Sequence, residues 1–155
     1  MARLLAESVS VACTDRSALY IAGSGSKPFN KASNGRLLSL VDHTGIVAYE
    51  PEELVLTARA GTPLKEIEQI MRERGQFLPF EPPMFQAGGT LGGAVACGLS
   101  GPGRPWRGAV RDLVLGVEMI NGLGQQLRFG GQVMKNVAGY DVSRLQSGAW
   151  GTLGV

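Results

Sequence analysis

The chain has 155 residues, 44% hydrophobic, 18% charged and 6% aromatic, which is enough for one globular core and too apolar for a disordered segment. Its 15 basic and 13 acidic residues leave a formal charge of +2, too even a balance for nucleic-acid binding driven by phosphate contacts. The sequence has no run of about 18 apolar residues, so a membrane-spanning helix is excluded.

Residues 2–13 read as a helix with Leu4, Leu5, Ser8, Val9 and Ala12 on one side. Met1 to Glu7 is too short and too acidic for a signal peptide, and Glu7 interrupts the faintly lipoprotein-like Ser10-Val11-Ala12-Cys13. A cytoplasmic location is therefore expected. Four strands follow: Ala18 to Ala22 ending at Gly23, Leu37 to Val41, Gly45 to Tyr49, and Leu54 to Ala60 after a Pro51-Glu52-Glu53 turn. The clearest helix comes next. Thr62 is placed to cap it, Pro63 suits its first turn, and Leu64, Ile67, Ile70 and Met71 share a face. Arg72 and Arg74 suit its C-terminal dipole, and Gly75 ends it.

From Phe77 the character changes. Pro79, Pro82 and Pro83 make an extended passage into Gly88 to Gly93, and Ala94 to Cys97 suits a short helix. Gly101 to Gly108 reads as a loop, and residues 113–120 and 125–129 as a hairpin turning at Asn121-Gly122. Asp141 to Gln146 suits a short helix, and Gly151 to Val155 begins a strand. A glycine-rich turn entering a strand is a poor place to end a sheet, so the chain reads as a C-terminally truncated fragment.

Side-chain chemistry narrows the function. Cys13 and Cys97 have no metal-ligand spacing. His43 is the only histidine and falls in a turn-like Asp42-His43-Thr44-Gly45, so neither a metal site nor a Ser-His-Asp triad is expected, and no residue stands out as catalytic. Glycine is the unusual component. Of 23 glycines, six lie before residue 86 and 17 lie from Gly88 to Gly154. In Gly23-Ser24-Gly25-Ser26-Lys27, small residues after a strand let backbone N–H groups converge on a phosphate or pyrophosphate. A plain surface turn is the alternative. Asp42 lies about 20 residues beyond Gly23, as a Rossmann ribose-binding acid would. However, Pro28 takes the third glycine's place, and Lys27 to Gly35 is unsuited to the long helix such a loop must open. No GxxxxGK[ST] occurs, which excludes a P-loop. The second segment is Gly88-Gly89-Thr90-Leu91-Gly92-Gly93 with Leu99-Ser100-Gly101. It suits either close helix packing or a second wall for a flat polyanionic ligand.

The motifs occur in a specific order. Gly-Ser-Gly-Ser-Lys is followed by Val55 to Gly61 into Thr62-Pro63-Leu64, then by Gly89-Thr90-Leu91-Gly92-Gly93 and Ser100-Gly101. Val110-Arg111-Asp112-Leu113-Val114-Leu115-Gly116, Lys135-Asn136-Val137-Ala138-Gly139-Tyr140-Asp141 and Gly151-Thr152-Leu153-Gly154 complete the series. This order resembles the FAD-binding domain of the vanillyl-alcohol oxidase/p-cresol methylhydroxylase (PCMH) type. Within it, Val95-Ala96-Cys97-Gly98-Leu99-Ser100-Gly101-Pro102 and Arg128-Phe129-Gly130-Gly131 are similar to the FAD-binding subunit of bacterial glycolate oxidases.

The resemblance implies an α+β PCMH-type fold of two α/β subdomains with FAD between them. These would be residues 1–75 and 76–155, the second incomplete at its C-terminal end. By the same resemblance Gly23, Ser24, Gly25, Ser26 and Lys27 cradle the pyrophosphate, and Pro82 and Pro83 lead into the second wall. Gly89, Thr90, Gly92, Gly93, Ser100 and Gly101 form that wall, and Gly151, Thr152, Gly154 and Val155 match the last FAD-contacting strand. Serines stand where covalent members carry histidine, so the implied FAD is noncovalent, and Trp150 replaces a customary glutamate. The implied chemistry is hydride transfer from a small 2-hydroxy acid, glycolate, to the flavin. The implied partners are other glycolate oxidase subunits, a second flavin subunit and an iron-sulfur subunit, with at most peripheral attachment to the inner membrane through that complex. A substrate-side cap and its metal-binding histidines would lie beyond Val155. Two rivals remain: an FAD-carrying or scaffold subunit whose partner is catalytic, and a peptidoglycan-precursor reductase, against which Lys135 to Asp141 argues. Arg104, Arg107 and Arg111 suit either an anionic ligand or a solvated loop, and Asp112 with Arg111 anchors the turn into the next strand.

Overall fold

An amphipathic helix, α1 (Ala2–Thr14), opens the chain and buries Leu5, Ala6, Val9 and Ala12 at helical spacing. Leu4 is 60% exposed and Ala6 is buried, so the apolar face is rotated slightly from the expected one. The computed structural model describes residues 1–27, 34–85, 88–132 and 139–155. Pro28 and the Lys135 to Ala138 part of the Lys135 to Asp141 motif lie outside the described residues.

The described strands form three pairs. β1 (Leu19–Ala22) and β2 (Arg36–Ser39) run parallel, with Leu19 opposite Arg36 and Ala22 opposite Ser39. β3 (Ile46–Glu50) and β4 (Val55–Ala58) are antiparallel, with an irregularity between Ile46 and Ala48. β5 (Gly116–Ile120) and β6 (Gln126–Gly130) make the expected hairpin. Its turn is longer than a two-residue Asn-Gly loop. The Asn121 side-chain carbonyl accepts from the Leu123 and Gln125 amides, and the left-handed residue is Gly124 rather than Gly122.

α2 (Leu64–Arg72) forms as the pattern predicts, with Leu64 and Ile67 fully buried; each such side chain contributes about 1.5–3 kcal/mol. Thr62 does not cap it. Its buried hydroxyl instead donates to the Gly45 carbonyl (3.2 Å) and accepts from the Gly45 amide (3.0 Å), tying the start of β3 to the end of β4. Pro63 takes the N-cap place. α3 (Leu91–Cys97) begins three residues earlier than expected, because the Thr90 hydroxyl accepts from the Gly93 amide and caps it. It ends at left-handed Gly98.

The single-turn helix α4 (Arg104–Arg107) occupies what reads as loop, α5 (Val110–Leu113) takes Leu113 from the expected 113–120 strand, which begins only at Gly116, and α6 (Val142–Leu145) lies within the expected 141–146 segment. Asp112 accepts from the Ala109 amide at 2.8 Å and so caps α5, consistent with its anchoring role. Residues 151–154 form a turn rather than a strand. Only Val155 pairs, exchanging both backbone hydrogen bonds with Ile120.

Two apolar clusters organise these pieces. Leu5, Ala6, Val9, Leu38 and Ile120 join α1 to the parallel pair and to β5. Leu64, Phe80, Ala94 and Val110 join α2, α3 and α5. Between them the chain is stitched by backbone bonds: the Leu64 amide donates to the Gly89 carbonyl, the Leu91 amide to Thr62 and the Gly92 amide to Ala60, at 2.8–2.9 Å. These bonds join the segments on either side of the 75/76 boundary.

Candidate functional site

The stitching brings the two glycine segments together. Gly23 follows β1, and a Cβ built on it would lie 2.6 Å from the Thr90 hydroxyl, so the first loop rests directly on the N-terminus of α3. The Ser24 hydroxyl donates to the Gly88 carbonyl at 3.5 Å. Lys27 reaches across the same junction. Its ammonium lies 3.7 Å and 3.5 Å from where side chains at Gly89 and Gly93 would begin, and 5.8 Å from the centre of the Phe85 ring. Gly25 and Gly88 adopt φ of 67° and 71° with open space where a side chain would stand. Both positions favour glycine for backbone reasons.

Beside this junction lies a cavity of about 170 Å³. Ser24 and the Gly88 to Thr90 segment line it together with Val41, Gly61, Pro63 and Lys65, and Pro63 pairs with Thr90 in an isolated bridge. Among the described residues that line it there is neither a carboxylate nor an imidazole. The chemistry it offers is binding: a hydroxyl, glycine backbone and two ammonium groups close by. That donor set fits the pyrophosphate of a dinucleotide, and the glycines leave the backbone open to close approach.

Other expected site residues have structural duties. A Cβ on Gly92 would lie 2.6 Å from the Ala60 Cβ, and one on Gly101 would lie 2.6 Å from the Glu81 Cβ. Ser100 accepts from the Val110 amide at 3.0 Å. Pro82 is buried and Pro83 half-buried in the passage beside the residues that pack on Gly101. A Cβ on Gly151 would lie 2.8 Å from Ile21 Cδ1, so this segment lies against β1, and Thr152 bonds its hydroxyl to the Ala149 carbonyl. Gly154 packs on Met119, and Val155 pairs with Ile120. Ser26 is half-buried in the first loop. Glu81 sits at φ 48°, accepts from the Gly103 amide and pairs with Arg107, which stacks 5.0 Å from the Phe77 ring centre. Arg107 is thus committed to this cluster, whereas Arg104 and Arg111 are exposed.

Their surroundings shift two titratable side chains, His43 and Cys97. His43 holds Gly61 in place, since its carbonyl accepts the Gly61 amide at 2.9 Å. Burial, reinforced by the Arg59 charge and the N-terminal ammonium, pushes the imidazole below its usual range; its Nδ1 has no partner among the described residues. Burial pushes the Cys97 thiol up, with Lys27 opposing, so it is a poor nucleophile.

Residues 3–130 match the family of FAD binding domains. The chain belongs to that family. As an FAD-binding domain it is 55% identical over 152 residues to glycolate oxidase subunit GlcE of Escherichia coli (strain K12), covering 97% of this chain and 43% of that protein. It is 33% identical over 127 residues to a D-2-hydroxyglutarate dehydrogenase of Xanthomonas citri pv. viticola, covering 80% of this chain and 26% of that enzyme. The chain therefore spans less than half the length of these relatives. An alkyldihydroxyacetonephosphate synthase structure superposes with a TM-score of 0.78 at 22% identity, covering 97% of this chain and 28% of that one, and establishes the PCMH-type fold. FAD is accordingly the cofactor this domain is built for. No helix among the described residues is long and apolar enough to cross a membrane.

Val41 and Lys65 escaped the motif reading, and Gly61 and Pro63, though part of the second motif, were not assigned to the site. The one available signal was positional: Val41 follows the second strand of a parallel pair, where ligands gather.

Proposed function

We propose that the chain is the FAD-holding portion of a glycolate oxidase subunit, binding FAD noncovalently within a multi-subunit complex that oxidises a 2-hydroxy acid. The meeting of the two glycine segments at Gly23 and Thr90, with Lys27 between them, carries this reading. When bound, FAD supplies a hydride acceptor. The chain's own residues bind and orient it. Lys27 offers charge to the pyrophosphate, and Ser24 and Ser26 offer hydroxyl donors. Gly89 and Gly93 keep the opposite wall free of side chains. Noncovalent attachment is supported by Ser24 and Ser26 standing in the first loop where covalent members carry histidine.

The described residues that line the cavity include no acid or base and serve to bind the cofactor, so in this reading proton transfer from substrate falls to other residues or to a partner subunit. Absorbance tests the cofactor reading. The protein refolded with excess FAD should acquire bands near about 370 and 450 nm that survive gel filtration and leave on acid precipitation, as a noncovalent flavin does. A protein that never acquires them refutes it. Anaerobic titration with glycolate, with and without the partner subunits, separates the roles: bleaching of the isolated flavoprotein assigns substrate chemistry to this subunit, and bleaching only in the complex assigns it to the partner.

A further inference from the structure

The turn joining β3 to β4 presents an apolar side chain on a strained backbone. Leu54 is 78% exposed and sits at φ 57°, a left-handed conformation that glycine or asparagine adopts with less strain. A leucine held there without burial gains nothing from its own domain, and strain of this kind gathers where proteins recognise something. The turn is firmly held. The Leu54 amide donates to the Pro51 carbonyl at 3.2 Å, and the same carbonyl accepts from Gln76 Nε2 at 2.8 Å. The Tyr49 hydroxyl in turn donates to Gln76 Oε1. Beside Leu54 in the chain stand the exposed residues Glu50, Glu52 and Glu53, none of them ion-paired among the described residues.

Gln76 also lines a second cavity, of about 280 Å³, whose apolar lining is Phe77, Leu78 and Pro82. A space of about 150 Å³ already takes a benzene-sized group, so this one has room for a leucine side chain. Of the charged residues lining it, Glu81 and Arg107 pair with each other, whereas Glu68 and Arg72 lie one turn apart on α2 without an ion pair. Arg72 is exposed and is the cation in that lining without a carboxylate partner among the described residues. Through Gln76, which touches the turn and lines the cavity, knob and hole are neighbours.

We infer that the protein forms a twofold dimer in which Leu54 of each copy enters this cavity of the other, with Glu52 and Glu53 set against Arg72. A surface that carries a knob next to a matching hole is self-complementary, as an isologous interface requires. The same match explains why a strained leucine stands where a glycine would sit more easily. The dimer goes beyond the FAD reading and does not depend on it, since Leu54, Glu52, Glu53 and Arg72 have no part in holding the cofactor.

Sedimentation velocity of the protein from about 1 to 200 µM tests this. So small an interface should give a reversible monomer–dimer equilibrium with a Kd on the order of 10 µM, weakened by added salt. Leu54→Gly removes the knob and suits the left-handed backbone. It should weaken dimerisation at least about tenfold while leaving the Tm of the dilute monomer unchanged or raised, whereas loss of a merely structural leucine would lower that Tm. Arg72→Glu, and Glu52→Lys with Glu53→Lys, should each weaken the dimer about fivefold or more, and all three together should restore it to within about twofold of wild type. A wild type that stays monomeric across the range, a Leu54→Gly variant that dimerises as well as wild type, or open-ended polymers in place of dimers overturns the inference. Each of these results leaves the FAD reading standing.

Discussion

Gly92 is the second residue of α3, in its first turn, where alanine would gain only a fraction of the about 1 kcal/mol over glycine that a helix interior gives. The structure reverses that sign. The new methyl would stand 2.6 Å from the Ala60 Cβ and 3.0 Å from the Ala60 carbonyl, the same carbonyl that accepts the Gly92 amide at 2.8 Å. Nothing flexible lies there to give way. Moving α3 to relieve the contact lengthens the bond that seats the second glycine wall, and overpacking of this kind costs about 1–3 kcal/mol. The overlap exceeds the propensity gain, leaving Gly92→Ala destabilised by about 1–2 kcal/mol, or roughly 3–6 °C in Tm for a domain of this size. The closest atom is the Ala60 methyl, so Ala60→Gly in the same chain should recover at least half of the loss, whereas Ala60→Gly alone should be mildly destabilising. Thermal unfolding of the four proteins of this cycle, without cofactor, measures the coupling. A single variant as stable as wild type, or a double variant showing strictly additive losses, refutes the packing role of Gly92.

Three further outcomes follow from the same geometry. Lys27→Met should weaken FAD about tenfold by flavin-fluorescence titration, with Tm of the cofactor-free protein changed by no more than about 2 °C, because the ammonium serves the ligand and not the core. Glu81→Gln, which loses the Arg107 ion pair and a charged acceptor for the Gly103 amide, should cost about 1 kcal/mol in a denaturant melt, a modest figure because both partners are part-exposed. The His43 imidazole is held below its ordinary value by burial first and by Arg59 second. Between its folded value and about 6.5 the unfolded chain therefore binds more protons, so stability rises with pH through that window and is lost as pH falls. His43→Gln should flatten that part of the stability-pH curve; an unchanged slope would assign it to other groups.

Elements governed by local rules were legible in the residues. α2 follows from Leu64, Ile67 and Met71 at helical spacing, and the β5–β6 hairpin from two apolar runs around Asn121. What escaped depends on contacts distant in sequence. Thr62 has the side chain of an N-cap, but its hydroxyl finds Gly45, 17 residues away, and Pro63 takes the cap position instead. The glycine excess pointed to a cofactor cradle, and Gly23, Gly89 and Gly93 do meet around Lys27. Gly92 and Gly101 belong to the same motifs yet are constrained by Ala60 and Glu81, a distinction composition cannot draw because both uses require a missing side chain. Val41 and Lys65 carried no motif; the parallel pairing of β1 with β2 brings Val41 to the cavity, and the bond from the Leu64 amide to the Gly89 carbonyl brings Lys65.

The stitch between residues 60–64 and 89–92 also sets a schedule. Until Gly92 has left the ribosome, the carbonyls of Ala60 and Thr62 wait without their amide partners, and the Gly23 loop has no surface to lie on. The cradle is thus a late product of synthesis, whereas α1 and the first strands can collapse earlier. A ligand that spans both sides of the stitch binds only the finished arrangement, so cofactor supply during translation should raise the yield of folded protein and not merely its occupancy.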